Sequence, residues 1–192
     1  VLFRVSQQQK TDLLLHLLET SGFGSAIVFC RTKFRAKRLA DQLIRSGLKA
    51  IALQGNMTQP QRDKAMGGFR GERYDVLVAT DIASRGIDVA QVSHVINFDV
   101  PNTPDAYTHR IGRTGRSERT GTAYTFVAAE DYALVHAIER RIGAKIPRLD
   151  PPVFEKRPDL ASQGVRRAPV ESEPVEEAAA EESRGGEGQR TR

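Results

Sequence analysis

Apolar residues along this chain follow two rhythms. Residues 10–19 place Leu13, Leu14, Leu17 and Leu18 in one stripe at helical spacing. Residues 26–30 (Ala26-Ile27-Val28-Phe29-Cys30) and 75–79 (Asp75-Val76-Leu77-Val78-Ala79) are almost unbroken apolar runs, of the kind buried on both faces of a sheet. A short strand is expected at 1–5 and others at 49–53, 92–98 and 120–127. Helices are expected between them. One spans 34–45, with Leu39, Leu43 and Ile44 inward and Gly47 as its stop. A second, capped by Thr58 with Pro60 in its first turn, runs to Phe69. A third opens at Thr103 or Pro104. The last, at 129–142, turns Leu134, Val135, Ile138 and Ile142 inward and ends at Gly143. Strands alternating with helices predict an α/β fold around a mostly parallel sheet with helices on both faces. Such sheets bind ligands at the carboxyl ends of their strands.

Charge sharpens this picture. Of 29 basic and 24 acidic side chains, residues 149–192 hold 7 and 10, so residues 1–148 keep 22 and 14 and carry the positive charge. A basic folded part favours a polyanionic partner such as a nucleotide or nucleic acid. After Pro147 the composition changes: Pro151, Pro152 and Pro158 punctuate it, and residues 171–182 hold six glutamates and no basic residue. Residues 149–192 are expected to be a linker and a disordered acidic and Gly-Arg tail, disordered from about 155. A single cysteine, Cys30, allows no intrachain disulfide and no cysteine-based metal site, and the four histidines lack metal-site spacing. Cys30 is expected to be buried filler. No apolar run reaches the ~20 residues of a membrane span, so a cytoplasmic protein without membrane contact is expected. The chain opens with Val1 rather than Met, as a piece of a longer protein would.

The densest candidate chemistry is His109-Arg110-Ile111-Gly112-Arg113-Thr114-Gly115-Arg116, with three arginines at intervals of three. On a helix, positions three apart share a face. A helix gains nothing from two interior glycines, which cost roughly 1 kcal/mol each relative to alanine. An arginine row facing a phosphate-rich ligand explains both features. Polar clusters also follow the strands: Arg31-Thr32, Gln54-Gly55 and Thr80-Asp81.

Together these segments resemble DEAD-box RNA helicases. Ile27-Val28-Phe29-Cys30-Arg31-Thr32, then Gly55 with Gln59 and Arg62, then Ala79-Thr80-Asp81-Ile82-Ala83-Ser84-Arg85-Gly86-Ile87-Asp88, then residues 109–116, are similar, in order, to that family's motif IV, Gln-x-x-Arg motif, motif V and motif VI. All four belong to its second, C-terminal RecA-like domain, and the likeness covers residues 1–148. The close of that stretch, Ile142-Gly143 with Lys145-Ile146-Pro147, is similar to bacterial RhlE-like members. Gln54 stands where the family often has His, and Ile82 and Ser84 where Val and Ala are common.

The resemblance implies a RecA-like three-layer sandwich, with ATP between two such domains and RNA crossing both. It implies Arg113 and Arg116 as fingers on the γ-phosphate, with Gly86 beside the nucleotide and Asp88 on its ribose hydroxyls. It assigns RNA-backbone contacts to Arg31, Thr32, Gln59, Arg62, Thr80, Arg85 and Gly86. Asp81 would brace its loop, and His109 and Arg110 would link motifs. Contacts of this kind read phosphate and sugar, so RNA binding would be largely independent of sequence. The sequence holds no Gly-x-x-x-x-Gly-Lys-Ser/Thr loop and no Asp-Glu-Ala-Asp run. Mg²⁺ and most of ATP would therefore belong to a partner N-terminal RecA-like domain, and the chain alone would be inactive. Other readings stay open: a stand-alone RNA-binding protein, a DNA-directed helicase of the same superfamily, or a doubly wound domain with a basic face. Without the motif context Asp88 reads as a turn or cap residue, and Gln59 and Arg62 as a surface pair.

Overall fold

The computed structural model describes residues 1–84, 92–115 and 121–154. Seven strands form one all-parallel sheet: β1 (Leu2–Arg4), β2 (Ala26–Phe29), β3 (Ala50–Leu53), β4 (Val76–Ala79), β5 (His94–Asn97), β6 (Thr122–Val127) and β7 (Arg148–Leu149), in the order β3-β4-β2-β5-β6-β1-β7. The helices are α1 (Lys10–Thr20), α2 (Lys33–Arg45), α3 (Gln59–Arg70), α4 (Asp81–Ser84), α5 (Pro104–Ile111) and α6 (Tyr132–Ile142). This is the three-layer RecA-like sandwich.

Side chains along a strand alternate between faces, and here that alternation divides the core. Ala26, Val28 and Cys30 pack with Val76, Val78, Ile96 and Phe126 under the leucines of α1 and α2. Ile27 and Phe29 point the other way, with Leu77, Ala79 and Val95, against Ala65, Met66 and Phe69 of α3. A third cluster sets Leu2 and Val127 against Tyr107 of α5 and Val135 and Ile138 of α6. Cys30 is fully buried, and burial pushes its thiol far above the usual range.

Local signals set three of the six described helix starts. The hydroxyls of Thr32, Thr58 and Thr103 each accept the amide three residues on, and Gln61 returns the bond to the Thr58 amide. Gly143 ends α6 at φ 71°, where an L side chain would be strained. Four details differ from the sequence expectation. Ile44 is 52% exposed, because Ala36, Leu39, Ala40 and Leu43 already fill the inward stripe of α2. Ile142, expected inward, is 39% exposed because it is the last residue of α6, beyond the stripe that Val135 and Ile138 bury. The last helix starts only at Tyr132, after a 3₁₀ turn at Ala129–Asp131. The short elements α4 and β7 had no periodicity to announce them.

β7 is held from α6. Glu139 accepts the buried Ile146 amide at 2.9 Å, and its carboxylate meets Lys145 at 3.2 Å and Arg148 at 3.0 Å. The chain then packs Phe154 near His16, ring centroids 6.2 Å apart. Burial alone would push the Glu139 carboxyl up. The hydrogen bonds from Arg148, the Ile146 amide and Lys145 outweigh it and hold the pKa at about 2. A pKa depressed on folding gives stability that is present above the ordinary carboxyl range and lost as pH falls from about 4.5 toward 2. Glu139→Gln keeps an oxygen for Ile146 but loses both ion pairs. It should cost roughly 1 kcal/mol near neutrality, and urea midpoints should converge with wild type as pH approaches 2. Parallel midpoint curves over that window would remove Glu139 from this role.

Candidate functional site

At the carboxyl edge of the sheet, β4 is followed by one buried residue, Thr80, and then by α4. Asp81, first residue of that turn, receives both arms of one guanidinium. Arg110 Nε donates to Oδ1 at 2.6 Å and Nη2 to Oδ2 at 2.7 Å. Arg110 is only 3% exposed. Its Nη1 donates to Asn97 Oδ1 at 3.1 Å and to the Asp99 carbonyl at 2.8 Å, and the guanidinium lies 5.0 Å from the centre of the Phe29 ring. One side chain of α5 thus ties together the ends of β4 and β5 and covers β2. A two-point Arg–carboxylate pair also fixes orientation, which a point charge would not.

The arginine row is therefore not one helical face, and this corrects the sequence reading. α5 stops at Ile111, and Gly112 caps it rather than lying inside it. The Arg113 amide bonds back to the Arg110 carbonyl at 3.1 Å, the Thr114 amide to Ile111 at 3.1 Å, and Gly115 has φ 70°. The chain leaves the helix with Arg110 inward and half-buried Arg113 on the turn. That turn is stitched to the approach of β5. Val92 donates its amide to the Arg113 carbonyl at 3.2 Å, and the Thr114 hydroxyl donates to the Val92 carbonyl at 2.6 Å. Gly121 completes the fit, since a Cβ there would collide with the Thr114 hydroxyl and the Gly115 amide. His109 is exposed on the last turn of α5.

From α3, Arg62 reaches across and donates to the Ala83 carbonyl at 2.8 Å, so the Gln-x-x-Arg segment braces α4. Gln59 is exposed and donates to Asp63 at 2.8 Å. At the end of β2, Thr32 caps α2 through the Arg35 amide, 3.2 Å away. The Arg31 amide donates to Asp99 at 2.9 Å, and its guanidinium meets Asp131 at 3.1 Å with 43% of the side chain exposed. Arg35 pairs with Asp99 at 3.0 Å. Behind them Lys10 is fully buried, its ammonium 3.5 Å from Asp131 and 3.9 Å from Asp99. Burial lowers its pKa, and the two aspartates oppose that only in part.

The structure thus brings together Asp81 with Arg110, Arg62 with the loop after β4, and Arg31 with two aspartates. Arg85, Gly86, Asp88 and Arg116 lie outside the described residues, as does the tail expected from about 155. Sequence reasoning did not single out Asn97, Asp99, Asp131, Lys10 or Gly121. A polar Asn97-x-Asp99 at the end of an apolar strand was the one available signal. Among the described residues no group of histidine, cysteine or carboxylate side chains is arranged to hold a metal, and no helix is long and apolar enough to cross a membrane.

Residues 9–118 match the helicase conserved C-terminal domain. The DEAD-box ATP-dependent RNA helicase CshA of Geobacillus kaustophilus is 41% identical over 87% of this chain and 35% of its own length. The ATP-dependent RNA helicase RhlB of Pseudomonas syringae is 40% identical over 79% of this chain and 38% of its own length. The chain spans about a third of the length of these curated relatives. Among solved structures, E. coli DEAD-box protein SrmB, bound to regulator of ribonuclease activity A, superimposes with TM-score 0.74 at 42% identity, over 77% of this chain and 88% of that one. S. cerevisiae Dbp5 bound to RNA and ADP BeF3 gives TM-score 0.72 at 34% identity, over 79% of this chain and 41% of that one. These matches are no narrower than the DEAD-box class.

Proposed function

Because this chain belongs to the helicase conserved C-terminal domain family, and within it to the DEAD-box RNA helicases, we propose that it is the second half of a split ATPase. ATP binds between it and an N-terminal RecA-like domain that supplies the phosphate loop and holds Mg²⁺. Arg113 and Arg116 then meet the γ-phosphate, Asp88 meets the ribose hydroxyls, and Gly86 lies against the nucleotide. RNA crosses Arg31, Thr32, Gln59, Arg62, Thr80, Arg85 and Gly86 by its backbone. Asp81, His109 and Arg110 support the loops. ATP and RNA each favour closure, so each strengthens the binding of the other. Closure bends short duplexes open. The setting is cytoplasmic.

The observation that carries this reading is the Asp81–Arg110 pair, with both donor distances below 2.8 Å. It joins the loop after β4 to the end of α5, so the groups proposed for RNA and for nucleotide move as one piece. Phosphoryl transfer is catalysed by positioning and charge neutralisation, and an arginine on a braced turn suits both. Thr32 can serve RNA without leaving its cap, because a hydroxyl that accepts an amide can still donate to a phosphate oxygen.

Two measurements test the reading. The 192-residue chain alone should give ATP turnover indistinguishable from buffer, with or without RNA. Adding an N-terminal RecA-like domain, fused or in trans, should produce RNA-stimulated turnover. Turnover by the isolated chain, or none after reconstitution with RNA, defeats the split-site reading. Equal stimulation by a DNA strand of the same sequence would assign the domain to DNA.

A further inference from the structure

One surface feature is left over by the contacts proposed so far. Phe34, second residue of α2, is 76% exposed, an unusual position for a large aromatic ring. It stands among cations: residues 31–38 hold Arg31, Lys33, Arg35, Lys37 and Arg38 and no acid. Arg31 and Arg35 turn inward to Asp131 and Asp99. Lys33, Lys37 and Arg38 are exposed. Lys37 and Arg38 lie three and four positions after Phe34, on the same face of α2. The Lys33 ammonium sits 5.3 Å from the centre of the Phe34 ring. Phe34 is also two residues beyond Thr32, at the edge where β2 ends.

An apolar protein partner would be matched by neighbouring apolar surface, not by three exposed cations. An aromatic face rimmed with positive charge is the combination that holds single-stranded nucleic acid. Every base has a face to stack, and the phosphates on either side need neutralising. We infer that Phe34 is a stacking platform for one unpaired base of the RNA, with Lys33, Lys37 and Arg38 on the flanking phosphates. This rests on the reading above that RNA passes Arg31 and Thr32. It adds a base contact to a surface otherwise read as contacting only backbone. A base inside a duplex has both faces covered by its neighbours, so the platform would favour strands already separated.

The test uses the 192-residue chain and fluorescently labelled single-stranded RNA, intact or with abasic positions. Phe34→Ala should weaken binding of intact RNA about 5- to 100-fold, Phe34→Tyr should retain it, and abasic RNA should bind wild type and Phe34→Ala alike. 2-Aminopurine in the intact strand should be quenched by wild type and not by Phe34→Ala. The ring is exposed, so thermal melting should be unchanged. If Phe34→Ala binds intact RNA like wild type while Arg62→Ala weakens it, the platform is wrong and the RNA surface stands. If wild type binds neither RNA, the platform falls, and the reconstituted turnover alone decides the reading it rests on. A loss confined to an acidic peptide of residues 171–182, with RNA unaffected, also overturns the platform.

Discussion

Arg113→Ala is expected to lower RNA-stimulated ATP turnover by about 10³-fold or more once the N-terminal RecA-like domain is supplied. RNA affinity should change little, and the backbone of the turn should hold. The reason lies in how the turn is held. The Arg113 amide bonds to Arg110 and its carbonyl to Val92, and the Thr114 hydroxyl closes onto Val92. None of these bonds uses the Arg113 side chain, so alanine keeps all three in place while removing the guanidinium. Arg113→Lys retains the charge but not the planar two-point fork, and it should stay within about tenfold of the alanine variant if geometry matters more than charge. Turnover of Arg113→Ala within tenfold of wild type, with protein of unchanged melting temperature, would falsify the finger assignment.

How much of this could be read beforehand depended on whether a residue's environment was local. The strands at Ala26–Phe29 and Val76–Ala79 were legible because unbroken apolar runs of four or five residues leave few alternatives. The threonine caps were legible because each partner is three residues away. Arg110 was not. A charged side chain is expected outward, and it turned inward because Asp81, 29 residues earlier, supplies a carboxylate at the adjoining strand end. The three-residue spacing of the arginines fitted a helix, yet the glycines between them were the stronger signal and mark where the helix stops. Lys10 hid for a similar reason. It opens a leucine-striped helix and is fully buried only because Asp99 and Asp131 converge from two other strand ends. β7 carried no pattern: it is two residues, both exposed, paired to β1 at one edge of the sheet. The site is thus legible as a set of strand-end clusters but not as a network, because its connections run between elements far apart in sequence.

Arg110→Ala should destabilise the domain by about 2–4 kcal/mol, less than a fully buried ion pair because only the Arg110 side of this one is buried. Three losses add. Asp81 keeps a carboxylate with no guanidinium opposite. The Asn97 side-chain oxygen and the Asp99 carbonyl, in a site where Arg110 is 3% exposed, lose their Nη1 donors. The ring of Phe29 faces a void where the guanidinium lay. Against a typical net stability of 5–15 kcal/mol, this is a large share of what holds the domain folded. Asp81→Ala should also be costly, for the opposite reason. Asp81 is itself 39% exposed, but without it the guanidinium stays buried against neutral acceptors only. The double variant Asp81→Ala/Arg110→Ala should be less damaging than the sum of the singles, with a coupling energy of roughly 1–3 kcal/mol in urea denaturation. Arg110→Lys should rescue little, since one ammonium cannot span both oxygens of Asp81 and also reach Asn97 and Asp99. A urea midpoint for Arg110→Ala equal to wild type, or strictly additive singles, would mean the pair does not hold the two loops together. Arg113 would then owe its position to the Val92 and Thr114 bonds alone.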